Sequence, residues 1–179
     1  AGIPGLLGGA LAMNAGAYGG ETWQLVESVN TINRQGVLRT RRADEFGVAY
    51  RSITGLADNE GFVSAVLQLV RGDGEAAAAQ MRALLDKRNA SQPIGLPSCG
   101  SVFRNPPGDH AARLIEACGL KGKAIGGAQV SPKHANFIIN TGNATAKEIE
   151  ALIALVQQQV KTQQGVELHP EVKMIGEEA

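Results

Sequence analysis

The chain has little of what several large function classes need. It carries only two cysteines, Cys99 and Cys118, in 179 residues. They form no CxxC pair, so neither a thiolate zinc site nor a disulfide framework is expected, and a reducing cytoplasm fits. The three histidines, His110, His134 and His169, are scattered, and no metal site is expected from them. Aromatics make up 4% of the residues, and seventeen basic side chains balance seventeen acidic ones. Nucleic-acid binders and anionic-membrane binders usually show a basic patch, so neither partner is expected. No apolar run reaches membrane-spanning length. No GxGxxG follows a strand and no GxxxxGK[ST] occurs, so the Rossmann and P-loop readings fail.

Glycine is abundant instead, at 23 residues. Seven glycines and five alanines fall within the first twenty positions. The opening "AGIPGLLGGALAMNAGA" has no basic lead and is broken by Pro4, so it does not read as a signal peptide. The chain starts without Met inside this dense segment, and a fragment with a missing amino-terminal part is expected.

"GGALAMNAGA" suits a short, tightly packed helical turn. Residues 24–42 predict two strands joined at Arg34-Gln35-Gly36, and 46–53 a short strand running into a loop. Residues 61–70 predict a strand with Val63, Ala65, Leu67 and Leu69 on one face. Gly72-Asp73-Gly74 breaks the pattern, placing a domain boundary near Arg71. Asp73 caps a helix to about Arg88, with Ala77, Met81, Leu84 and Leu85 expected on its buried stripe. A loop rich in Pro, Gly and Ser covers 91–110. A helix over 109–118 carries Ala111, Leu114, Ile115 and Cys118 and stops at Gly119. "KAIGGAQV" and "NFIIN" read as strands. The Thr145–Glu148 capping box opens a helix whose core face is Ile149, Leu152, Ile153, Val156 and Val160. Residues 166–176 predict a closing strand interrupted by Pro170. Helices and strands mix without a βαβ rhythm, so the fold class is α+β.

Single residues leave the chemistry open. In "LPSCGSVFRNPPGDH", Ser101 either satisfies loop amides or is a rigidly held proton donor, and residue type alone favours the former. Arg51 in "AYRSI" could clamp a carboxylate, though a solvated Arg at a strand end is commoner. Glu171 in "HPEVK" is a candidate polarising carboxylate beside the commoner strand-edge reading. His134 suits a structural hydrogen bond. The Gly-rich start could bring backbone N–H groups against a flat or anionic cofactor, or could pack a turn on a sheet.

Five stretches together are far more specific. "AGIPGLLGGALAMNAGAYGGE", "AYRSI", "PSCGSVFRNPPGDHAARLIEACGLKG", "VSPKHANFIINTGNATAKEIEALI" and "LHPEVKMIG" resemble, in order, the UDP-N-acetylenolpyruvoylglucosamine reductase (MurB) family. The spacing from the Ser motif to "GLKG" resembles its shorter class, without an extra tyrosine-bearing loop. The resemblance implies part of a two-subdomain FAD-binding α+β domain over 1–70 and a smaller α+β substrate-binding domain over 71–170. Residues 171–179 would return to the FAD side. It implies a flavoenzyme taking hydride from NADPH and reducing UDP-N-acetylglucosamine enolpyruvate to UDP-N-acetylmuramate in peptidoglycan precursor synthesis.

By the same resemblance Ser101 is the proton donor, and Arg51 and Glu171 complete the catalytic set. Gly8, Gly9, Ala12, Gly16 and Tyr18 match the flavin-contacting segment. Tyr50, Arg104 and Asn105 match the substrate side, with Arg104 where the family usually has Lys. A first flavin-binding subdomain would precede Ala1, so this chain alone is expected to hold FAD weakly and to lack turnover. The alternatives are a UDP-sugar-binding module without catalysis and an oxidase sharing the flavin-binding fold.

Overall fold

The computed structural model describes residue 3 and residues 5–176. Residues 1, 2, 4 and 177–179 lie outside it, including Pro4 and the end of the expected 171–179 segment. The chain divides into two compact units, Ala1–Asp86 and Lys87–Ala179.

In the first unit the Gly-rich start forms a short helix, α1 (Leu7–Ala12), then a small hairpin of β1 (Gly16–Ala17) and β2 (Gly20–Glu21). Three antiparallel strands follow in the order β4-β3-β7, from β3 (Val26–Asn33), β4 (Leu38–Arg42) and β7 (Glu60–Leu67). Between β4 and β7 lies a second hairpin of β5 (Gly47–Ala49) and β6 (Ser52–Thr54). The core is Leu11, Trp23, Val26, Val29 and Phe46, with the Trp23 and Phe46 ring centres 4.8 Å apart. Trp23 satisfies its indole by donating Nε1–H to the Leu11 carbonyl at 2.8 Å.

β7 differs from its expected face. Asn30 pairs with Ser64 but Thr31 pairs with Phe62, so Val63 is an extra residue on β7. This bulge shifts the alternation, a consequence of inserting one residue into a period of two. Phe62 and Ala65 therefore pack on the core, while Val63 and Leu67 are exposed.

Helix α2 (Gly74–Ser91) starts as expected, with the Asp73 carboxylate accepting the N–H groups of Glu75 and Ala76. The expected buried stripe does not form: Ala77 and Met81 are exposed, and Leu84 and Leu85 only half-buried. The division between units falls inside this helix rather than at the glycine break. Its first part is tied to the first unit by Tyr18 donating to the Leu84 carbonyl, and its last part to the second by Lys133 donating to the Asn89 carbonyl.

The second unit is an antiparallel sheet in the order β8-β11-β10-β9. Its strands are β8 (Ser98–Ser101), β9 (Ala124–Ile125), β10 (Ala128–Val130) and β11 (Phe137–Asn140). Helices α3 (Ala111–Ala117) and α4 (Ala146–Gln164) pack with it around a core that includes Val102, Phe103, Leu114, Ile115, Val130, Leu152, Val156 and Leu168. The capping box forms, with Thr145 Oγ1 accepting Glu148 N–H and Glu148 Oε2 accepting Thr145 N–H. Residues 166–176 form no strand. Leu168 instead plugs into the core, Gln157 of α4 donates to its carbonyl, and Pro170 makes an isolated bridge to Phe103. Helices with all-antiparallel sheets make this an α+β protein.

Candidate active site

The expected residues gather in two places, one in each unit. In the first unit, Tyr50 and Arg51 form the two-residue turn joining β5 to β6. Arg51 is left-handed at φ 55°, a conformation costing a non-glycine residue on the order of 1–3 kcal/mol. Such strain persists only where the surroundings over-determine it. Here the guanidinium stacks 4.9 Å from the Tyr50 ring centre and reaches the carbonyls of Asn14 and Gly16, both at 3.5 Å.

Asn14 explains why the hairpin sits against the Gly-rich start. It is fully buried and left-handed at φ 43°. Its Nδ2 donates to Glu21 Oε2 at 2.8 Å and to the Ala49 carbonyl at 3.1 Å, and its Oδ1 accepts Trp23 N–H at 3.2 Å. One side chain thus ties the end of α1 to β2 and β5. A side chain at Gly16 would collide with the Gly20 carbonyl and press on Arg51. Gly8, Gly9 and Ala12 lie on α1, with open space beside the two glycines. Tyr18 is also left-handed, at φ 56°.

In the second unit Ser101 ends β8, opposite Phe137 of β11, rather than sitting in a loop without regular structure. Gly100 before it has φ 83°, which few other residues adopt without strain. Beyond Ser101 the chain continues as a buried extension, Val102 and Phe103, along which residues 169–172 run antiparallel. Glu171 donates its N–H to the Val102 carbonyl at 2.7 Å, and Arg104 donates its N–H to the His169 carbonyl at 2.9 Å. Glu171, 70 positions on from Ser101, is therefore bonded to the residue that follows Ser101.

Arg104 Nε is buried with no hydrogen-bond partner among the described residues. Asn105 Oδ1 accepts the Ala111 N–H at 3.1 Å, capping α3, so a structural task accompanies its expected substrate role. Partial desolvation raises the Cys99 thiol pKa, although the residue as a whole is exposed. Burial likewise holds His134 below its ordinary value, and its Nδ1 accepts Asn136 N–H at 3.3 Å. Among the described residues no cluster of His, Cys, Asp and Glu could hold a metal, and no helix is long and apolar enough to cross a membrane.

Residues 92–175 match the model of the C-terminal domain of UDP-N-acetylenolpyruvoylglucosamine reductase. Over those residues the chain is similar to that domain. A reductase of that name from Alkalilimnicola ehrlichii is 63% identical over 177 residues, covering 99% of this chain and 59% of that protein. Those from Methylococcus capsulatus and Legionella pneumophila are each 61% identical, covering 99% of this chain and 58% of theirs. The crystal structure of UDP-N-acetylenolpyruvylglucosamine reductase (MurB) from Thermus caldophilus matches with a TM-score of 0.84 at 34% identity, covering 96% of this chain and 61% of that one. The chain thus spans about three fifths of the length of the curated relatives it matches.

Two residues of this reductase-like architecture escaped the sequence reading. Asn14 lies inside the expected helical turn "GGALAMNAGA", and Asn136 is one letter in "KHANF". Their signal is a lone amide beside buried apolar positions, recognisable only once the burial is known.

Proposed function

We propose that the protein carrying this chain reduces UDP-N-acetylglucosamine enolpyruvate to UDP-N-acetylmuramate, in the cytoplasm, during peptidoglycan precursor synthesis. The observation that carries the reading is the ladder setting Glu171 beside the Ser101 strand, next to the unfilled Arg104 donor. An orphaned buried donor costs about 1–3 kcal/mol, which an acceptor on a sugar nucleotide would offset.

FAD, reduced by NADPH, would supply the hydride when bound. The small, open surface of Gly8, Gly9 and Ala12, flanked by Gly16 and Tyr18, fits a flat ring system. Hydride arriving at the substrate methylene leaves negative charge on the adjacent carbon and its carboxylate. Arg51, a permanent cation with a forked donor face, stabilises that charge where it develops. Ser101 Oγ–H passes its proton to the adjacent carbon. The carbon is basic enough that the high pKa of a hydroxyl is no obstacle, provided the hydroxyl is rigidly placed. Glu171 polarises the array, and Tyr50, Arg104 and Asn105 Nδ2 hold the substrate.

The test is Ser101→Ala in the full-length polypeptide. Turnover should fall by about 10²–10⁴-fold, the usual contribution of a positioned proton donor, with little change in sugar-nucleotide affinity. Turnover near the wild-type rate would remove Ser101 from the chemistry. The self-contained core of the second unit favours a second reading for this chain alone: it binds the UDP-sugar without turnover.

A further inference from the structure

We infer that Asn136 is a positioning residue for this reduction, holding Ser101 and Glu171 in register through the backbone of Val102 and Phe103. The inference rests on the functional reading above. Asn136 precedes β11 and is 4% exposed. Its Oδ1 accepts Phe103 N–H at 3.0 Å, its Nδ2 donates to the Phe103 carbonyl at 2.8 Å, and its own carbonyl accepts Val102 N–H at 2.9 Å. Three bonds thus fix two consecutive residues immediately after Ser101. Neither of those residues belongs to a named strand, so the Asn136 side chain supplies hydrogen bonds that a neighbouring strand would otherwise make.

The same two residues carry the carboxylate. The Val102 carbonyl takes Glu171 N–H, and Phe103 bridges Pro170. The Val102–Phe103 backbone is therefore held by Asn136 and itself holds the 169–172 segment. A shift of the amide would move the proton donor and Glu171 together. The amide is itself oriented, because Asn136 N–H is held by His134 Nδ1 and the His134 ring packs edge-on to Phe137 at 4.9 Å.

Asn136→Asp tests this. It keeps shape and the acceptor for Phe103 N–H, but when ionised it turns an acceptor toward the Phe103 carbonyl. Protonation restores a donor there, and burial raises the pKa of the introduced carboxyl. In the full-length reductase, kcat near pH 8 should fall by about tenfold or more while KM moves less than about threefold, the signature of misplaced reacting groups. The ratio of variant to wild-type kcat should climb as pH falls toward about 6, following that raised pKa. His134, whose Nδ1 accepts the Asn136 N–H, is present in both proteins, so its own titration is common to numerator and denominator of the ratio. Asn136→Ala should lose kcat with no recovery in acid.

An unchanged kcat would overturn the inference, as would a loss that no pH restores in Asn136→Asp. Failure of both variants to fold would assign Asn136 to the fold alone and overturn it too. If wild-type protein does not reduce the sugar nucleotide, the functional reading itself fails and takes the inference with it, so the wild-type arm separates the two failures.

Discussion

Arg51 is where residue-scale physics speaks most clearly. Hairpin turns of two residues favour Asn and Gly because they need positive φ, yet this turn is built from Tyr50 and Arg51. A guanidinium held against its local preference and stacked on its neighbour suits the charge-stabilising role proposed for it. The strain itself is not legible in sequence, since φ is not visible in residue type. Glu148 is the opposite case, legible from the Thr145 spacing. Its carboxylate accepts the N–H of Thr145 at 2.9 Å and of Gly127 at 3.3 Å, and these bonds lower its pKa. A lowered folded-state pKa adds stability that is fully present above the unfolded value, about 4.3, and is lost as pH falls through the folded value. The gap between thermal melts of wild type and Glu148→Gln should therefore be full at pH 7 and shrink as pH falls below the unfolded value of about 4.3. A gap unchanged between those pH values would contradict the assignment.

Elements divide by whether their determinants are local. Helix α4 follows its capping box and apolar stripe closely, and α3 buries Ala111, Leu114 and Ile115 as their spacing requires. Both signals lie within a few residues of one another. Strand β7 fails that test because its face is set by the bulge against β3, a long-range event. The structure thus orders two substitutions against the simple alternation. Phe62→Ala should cost about 3 kcal/mol, near the low end for a core aromatic because Phe62 is only partly buried. Val63→Thr should stay within about 0.5 kcal/mol, as for other exposed sites. Urea unfolding checks both, and a Val63→Thr loss matching that of Phe62→Ala would mean the bulge is misplaced. The closing segment was equally illegible. Its path depends on Leu168 finding core partners such as Phe103 and Leu152 and on Asn136 bonding Phe103, and those partners are distant from Pro170 in sequence.

At the scale of the molecule, each unit has its own apolar core, and the proposed residues are shared between them. Arg51 and the Gly-rich surface lie in the first, and Ser101, Arg104, Asn105 and Glu171 in the second. Family motifs supplied these residues as expectations; the ladder joining 102–104 to 169–171 was not legible, because it is made by backbone atoms. The central claim is that the second unit is built around the enolpyruvyl sugar nucleotide. It is tested most directly by calorimetric titration of this chain with UDP-N-acetylglucosamine enolpyruvate, with and without FAD. Saturable heat at one site per chain without FAD is the predicted result, and no saturable heat in either condition would contradict it.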